Sequence, residues 1–244
     1  LVRKIRESGS QKARFANMEE ETKSVVKELK SHKLESDLVS RVSCATSYSV
    51  PNFGHRVVLI DLGAKLGIIR ELAKRSCDIV VVPYNTSAKE IMAFEPDAVV
   101  ISSGPGDPRV LKDTIKNVKE LLANTTVFGI GIGCQVVALA SGATLTTLAF
   151  GHRGSNYPVK RLENGKVEIT SEACAFTIDR SSLEKSELVE TYRSVNDGTV
   201  EGIKHGNYSA FGVAFNPEAN PGPQDSNYIF DELIEILEQA GGEE

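Results

Sequence analysis

At 244 residues, with 41% apolar and 25% charged side chains and a formal net charge of −5, the chain has the make-up of one sizeable α/β domain or two small ones. The acidic balance excludes a protein that tracks phosphate backbones through a basic field, and no apolar run reaches the ~20 residues needed to cross a bilayer. Four scattered cysteines (Cys44, Cys77, Cys134 and Cys174) show no C-x-x-C spacing, which speaks against a zinc ribbon and against a disulfide-stapled secreted domain.

Leu1 stands where an initiator Met is expected and no signal-peptide pattern follows, so the start reads as a processed or fragment end of a cytoplasmic-type protein. A basic opening (Arg3, Lys4, Arg6) leads to a helical segment from Met18 to Lys30, acidic early and lysine-rich late as the helix dipole favours, with Val25 and Leu29 four apart. That segment has too little apolar surface for a core of its own, and a linker is expected around Ser43 to Phe53. Residues 1–48 therefore read as the end of an N-terminal domain plus linker, and residues 49–244 as the main domain.

From Arg56 the pattern alternates. Apolar runs at Val57–Asp61, Ile79–Pro83, Ala98–Ile101 and Thr126–Ile130 predict strands; Lys65–Arg75, Ala88–Phe94, Val110–Leu122 and Gln135–Ser141 predict the helices between them. Continuous apolar strands each followed by a helix indicate a buried, mostly parallel open sheet of the α/β class, flanked by helices. After Gly142 the chain turns β-rich and closes with a helix from Tyr228 to Glu238.

Ligands of an open parallel sheet bind beyond the carboxyl ends of its strands. Two glycine-rich turns fall there, Ser102–Pro108 and Gly129–Gln135. Gly129-x-Gly131-x-Gly133 departs from a dinucleotide fingerprint, whose third glycine would sit at Cys134, and no acidic residue follows at the required ~20-residue distance. The spacing fits a nucleophile elbow instead, whose tight strand-to-helix turn needs glycines on either side of the reactive residue. Here that residue is Gly131, which has no side chain.

Val127-Phe-Gly-Ile-Gly-Ile-Gly-Cys-Gln135 resembles the V-F-G-I-C-L-G-H-Q elbow of the class I, triad-type glutamine amidotransferases. Phe150-Gly-His-Arg-Gly-Ser-Asn-Tyr-Pro-Val159, Phe215-Asn-Pro-Glu-Ala-Asn-Pro-Gly-Pro223, Ser103–Pro108 and Asn196–Gly202 are similar, in order, to motifs of the carbamoyl phosphate synthetase small-subunit branch of that family. The resemblance implies a flavodoxin-like fold and a reaction in which a thiolate attacks the side-chain amide of glutamine. A histidine moves the protons, a glutamate orients it, and backbone N–H groups hold the oxyanion.

Transferred position by position, the nucleophile falls on Gly131 and the base on Asn216, which cannot act as a base near neutral pH. The orienting carboxylate is retained as Glu218. The family's glutamine-holding Q-N-H-G-F segment reads Glu172-Ala-Cys-Ala-Phe176: Ala173 has lost an amide, Ala175 adds a methyl, and Phe176 remains. Gly104, Gly106, Ile132 and Gln135 match the glutamine pocket and oxyanion hole.

The resemblance thus implies a degenerate glutaminase domain, inactive itself, that accompanies a larger ATP-using synthetase subunit making carbamoyl phosphate for arginine and pyrimidine synthesis. No cofactor, metal, nucleic acid or membrane partner is expected. Two alternatives stand beside it. An active amidotransferase would use a relocated nucleophile such as Cys134, which otherwise reads as a small buried side chain in the first turn of a helix. A small-molecule module would cradle a carboxylate or phosphate, of glutamine or a related small molecule, on backbone N–H groups of the two glycine turns. His152 and Tyr157, in a loop rich in turn residues, read as structural ahead of ligand-binding.

Overall fold

The computed structural model describes residues 2–9, 11–33 and 35–241. Among them, ten strands form one mixed sheet: β1 (Tyr48–Val50), β2 (Arg56–Asp61), β3 (Asp78–Pro83), β4 (Ala98–Ile101), β5 (Thr126–Ile130), β6 (Leu145–Arg161), β7 (Val167–Ile178), β8 (Leu188–Ser194), β9 (Val200–His205) and β10 (Ala210–Val213). The helices are α1 (Val2–Ser8), α2 (Thr22–Ser31), α3 (Leu66–Lys74), α4 (Ala88–Met92), α5 (Lys112–Leu121), α6 (Ile132–Ala140) and α7 (Ile229–Gly241).

The parallel half runs in the order β3-β2-β4-β5-β10, the 2-1-3-4-5 order of a flavodoxin-like sheet. Its strands are apolar on both faces because both faces are covered. On β2, Val58 and Ile60 pack toward α4, α5 and α6, while Val57 and Leu59 pack toward α3 and α7. Every residue of α6 except Leu139 is buried, so this helix runs through the interior without a polar face.

Beyond β10 the pairing turns antiparallel through β9, β7, β6 and β8, and β8 also pairs β9. The long β6–β7 hairpin carries register shifts between Thr147 and His152 and between Gly154 and Tyr157. Such irregularities re-aim side chains beside a site.

At the other edge the expected Ser43–Phe53 linker needs correction. Tyr48–Val50 is a strand, paired antiparallel with β3. Three residues are too few for alternation to show in the sequence, but they cover an edge that would otherwise present unpaired backbone groups. The preceding segment is pinned as well, by Val39 in the core and by Cys44 N–H donating to Asp61 Oδ2 at 2.7 Å. The helix expected from Met18 starts later, at Thr22, and buries none of its residues. α6 starts at Ile132, three residues before the expected Gln135, because the chain passes from Gly131 straight into a helical turn.

Candidate functional site

The turns after β4 and β5 open onto a cavity of ≈ 530 Å³ at the carboxyl end of the parallel strands. Gly104, Gly106, Gly131, Ile132, Gln135, Ala173, Ala175, Phe176 and Asn216 all line it. Nine positions spread over four segments of sequence therefore converge on one volume.

Three glycines shape the elbow for different reasons. A Cβ on Gly129 would lie 2.6 Å from the backbone of Gly133 and Cys134, and one on Gly133 would lie 2.2 Å from the Ile101 carbonyl oxygen. At these two positions the close approach of backbones demands glycine. At Gly131 the constraint is conformational: φ is 59° and ψ −118°, outside the regions L-residues favour. Space there is tight but present, with the nearest atom, Ser103 Cβ, at 3.2 Å. A Cβ at 131 would also lie 3.9 Å from Asn216 Oδ1, so the positions matched to nucleophile and base do face each other.

Gly133→Ala separates the two effects. Helix propensity alone favours alanine by about 1 kcal/mol. Overpacking against the Ile101 carbonyl costs about 1–3 kcal/mol, so we expect net destabilisation, read by urea denaturation. A gain in stability in that variant would contradict the packing described.

Around the elbow, the first amides of α6 have no intrahelical carbonyl to bond, as at any helix start. Gly104 is held by proximity, because its Cβ would lie 2.1 Å from the Leu62 oxygen. Gln135, 3% exposed, donates through Nε2 to the Phe176 carbonyl at 2.7 Å and so ties α6 to β7. Asn216 is fixed by its own N–H, donating to the Ser171 carbonyl at 2.8 Å.

Glu218 is the one assigned residue that does not line the cavity. It is fully buried behind it, its Oε1 2.9 Å from Lys65 Nζ, and neither oxygen accepts a well-aligned hydrogen bond. Burial raises its pKa above the ordinary carboxylate value, and Lys65 opposes that shift. Its partner is therefore a lysine that no motif in the sequence singles out, and Lys65 itself lines the cavity.

Cys134 is 0% exposed within the apolar core, does not line the cavity, and burial pushes its thiol pKa up. The structure thus removes the expectation of Cys134 as a relocated nucleophile: the helical turn points the side chain at Gly212 of β10, where a Cβ would sit 3.0 Å from that of Cys134. Cys174, by contrast, lines the cavity, as do Arg153 and Leu38. His152 lies behind the wall, 3% exposed, stacked on Tyr157 with ring centroids 5.0 Å apart.

Residues 58–236 match the family described as "Glutamine amidotransferase class-I". Over 238 residues the chain is 46% identical to the carbamoyl phosphate synthase pyrimidine-specific small chain of Bacillus subtilis, covering 98% of this chain and 65% of that protein. It is 46% identical over 239 residues to the carbamoyl phosphate synthase small chain of Staphylococcus haemolyticus, with the same coverage of 98% and 65%. The chain thus spans 65% of the length of these relatives. In fold it resembles a glutamine amidotransferase from Thermotoga maritima, with a TM-score of 0.52 and 17% identity over 78% of this chain and 86% of that one. A GMP synthase component from Thermoplasma acidophilum gives a TM-score of 0.63 at 18% identity, over 76% of this chain and 94% of its own. With the elbow, the flavodoxin-like sheet order and the cavity between them, these matches place the chain in the class-I glutamine amidotransferase family.

Proposed function

We propose that this chain is a glutaminase-type domain of the carbamoyl phosphate synthase small-chain kind that does not hydrolyse glutamine. In this reading it serves as a structural or regulatory partner of a larger, ATP-using synthetase subunit that draws on free ammonia. The observation that carries the proposal is the pair Gly131 and Asn216, facing each other across the cavity with no side chain on one and no base on the other. Backbone donors and a shaped pocket without a nucleophile can bind but cannot form the acyl intermediate. Glu218, matched to the orienting carboxylate, is committed to Lys65.

The partner assignment draws on the names of the relatives. Carbamoyl phosphate for arginine and pyrimidine synthesis is the product such a pair would make. Titrating the purified chain into a carbamoyl phosphate synthase large subunit, followed by calorimetry, is expected to give a saturable complex that leaves ammonia-dependent synthesis intact. Absence of binding would defeat the partner role.

The persistence of the cavity favours one second reading, retention of a small carboxylate such as glutamine without turnover. Arg153 and the free amides of α6 supply positive potential there. A thermal shift with glutamine would favour this reading.

A further inference from the structure

Behind the cavity wall a second group of side chains remains without a role in this reading. In the β6–β7 hairpin His152 stands directly opposite Cys174, and Glu172 lies two residues along β7, so strand alternation puts all three on one face. One ligand atom from each lies within 4.8 Å of the others. Glu201 of β9 joins them, its Oε1 3.4 Å from His152 Nδ1. Glu172 Oε2 is 2.7 Å from the same nitrogen.

The surroundings are arranged as they are around bound metals. His152 Nε2 lies 2.7 Å from Asp197 Oδ2, which fixes the ring and leaves Nδ1 facing the cluster. Thr170 Oγ1 donates to Glu172 Oε1 at 3.2 Å, and Thr199 Oγ1 to Glu201 Oε1 at 3.0 Å. Glu201 is 1% exposed, yet its Oε2 has no partner. Two buried carboxylates thus meet at one imidazole nitrogen, with a thiol in the same cluster and one buried oxygen left unpaired.

We propose that His152, Cys174, Glu172 and Glu201 form a binding site for a borderline-soft divalent cation of the zinc type. The donor set of one imidazole nitrogen, one thiolate and carboxylate oxygens suits Zn²⁺ and disfavours Ca²⁺ or Mg²⁺, which take oxygen ligands. Cys174 lines the cavity and supplies the entry path. Binding replaces the proton on His152 Nδ1 and the proton on Cys174, so two protons leave as one divalent ion enters and the net charge of the cluster is unchanged. A free thiolate at Cys174 acting as a nucleophile is the rival use of the same atoms. Burial and the charges of Glu201 and Glu172 raise the thiol pKa, against the lowering from His152.

The test uses the full untagged chain, stripped with chelator and titrated with Co²⁺ as a spectroscopic probe, then with Zn²⁺. One Co²⁺ per chain is expected, with a thiolate-to-cobalt charge-transfer band that Zn²⁺ abolishes. Cys174→Ser, nearly isosteric, should lose the band while keeping the circular dichroism of the folded chain. Asp197→Asn should weaken Zn²⁺ binding about 10–100-fold by loosening the ring of His152. No uptake of Co²⁺, a band that survives in Cys174→Ser, or an affinity unmoved in Asp197→Asn would each overturn the site. So would glutamine-dependent ammonia release that disappears in Cys174→Ser, which would assign the thiol to covalent chemistry.

Discussion

Incubated with glutamine, the purified chain should release ammonia at the uncatalysed rate, and Gly131→Cys combined with Asn216→His should raise that rate by about 10²–10⁴-fold, the range one positioned acid–base group supplies. Loss of a nucleophile or its base costs on the order of 10⁴–10⁶-fold, and such losses are not additive, so either single replacement should recover little. The geometry permits the repair. A side chain at 131 has its nearest neighbour at 3.2 Å and begins 3.9 Å from the side chain at 216, within reach of a sulfur-to-imidazole hydrogen bond. The backbone at 131 holds φ at 59°, so cysteine there bears strain of about 1–3 kcal/mol, as reactive residues at such turns do.

Two features should hold the double variant below a full glutaminase. Glu218 faces Lys65, leaving a new imidazole at 216 without its orienting carboxylate. Ala173 and Ala175 line the cavity, at the positions that the resemblance matches to the family's substrate-holding amide and glycine. Cys134→Ser should leave glutamine turnover unchanged in either background, since Cys134 is sealed in the core away from the cavity. Measurable turnover in the unmodified chain would sink the assignment of inactivity; turnover at family level in the double variant would show that positions 173 and 175 do not govern glutamine.

Much of the parallel half is legible in the residues alone. Runs such as Val57–Asp61 and Ala98–Ile101 are apolar at successive positions because helices cover both faces of the sheet. The elbow is legible because glycines at 129 and 133 sit where a Cβ would crowd neighbouring backbone. The rest depends on crossings between distant segments. Lys65 and Glu218 are brought together only where α3 passes the loop after β10. His152 and Cys174 become neighbours through a register that shifts between Thr147 and His152, and no periodicity in the sequence announces such a slip. β1 escapes notice because three residues of alternation are indistinguishable from a linker.

Lys65→Met should destabilise the chain by roughly 3 kcal/mol, near the lower end of the range for removing one partner of a buried pair, because Lys65 is one-third exposed and Glu218 is not exposed at all. Neither Glu218 oxygen has a hydrogen-bond donor in good alignment, so without the ammonium the carboxylate is a buried charge with nothing to answer it. The pH dependence carries the sign. Burial already raises the folded pKa of Glu218, and removing Lys65 takes away the main influence opposing that rise. A carboxyl whose folded pKa exceeds its unfolded value contributes stability fully present below the unfolded pKa and lost as pH rises through the folded one. The variant should therefore melt progressively earlier as pH rises above the ordinary carboxylate range, over a wider span than the unmodified chain. Adding Glu218→Gln to Lys65→Met should flatten that slope and recover most of the lost stability. A melting temperature in Lys65→Met with no more pH dependence than in the unmodified chain would mean that Glu218 has found another partner, and the buried pair with Lys65 would no longer account for a carboxylate at this depth.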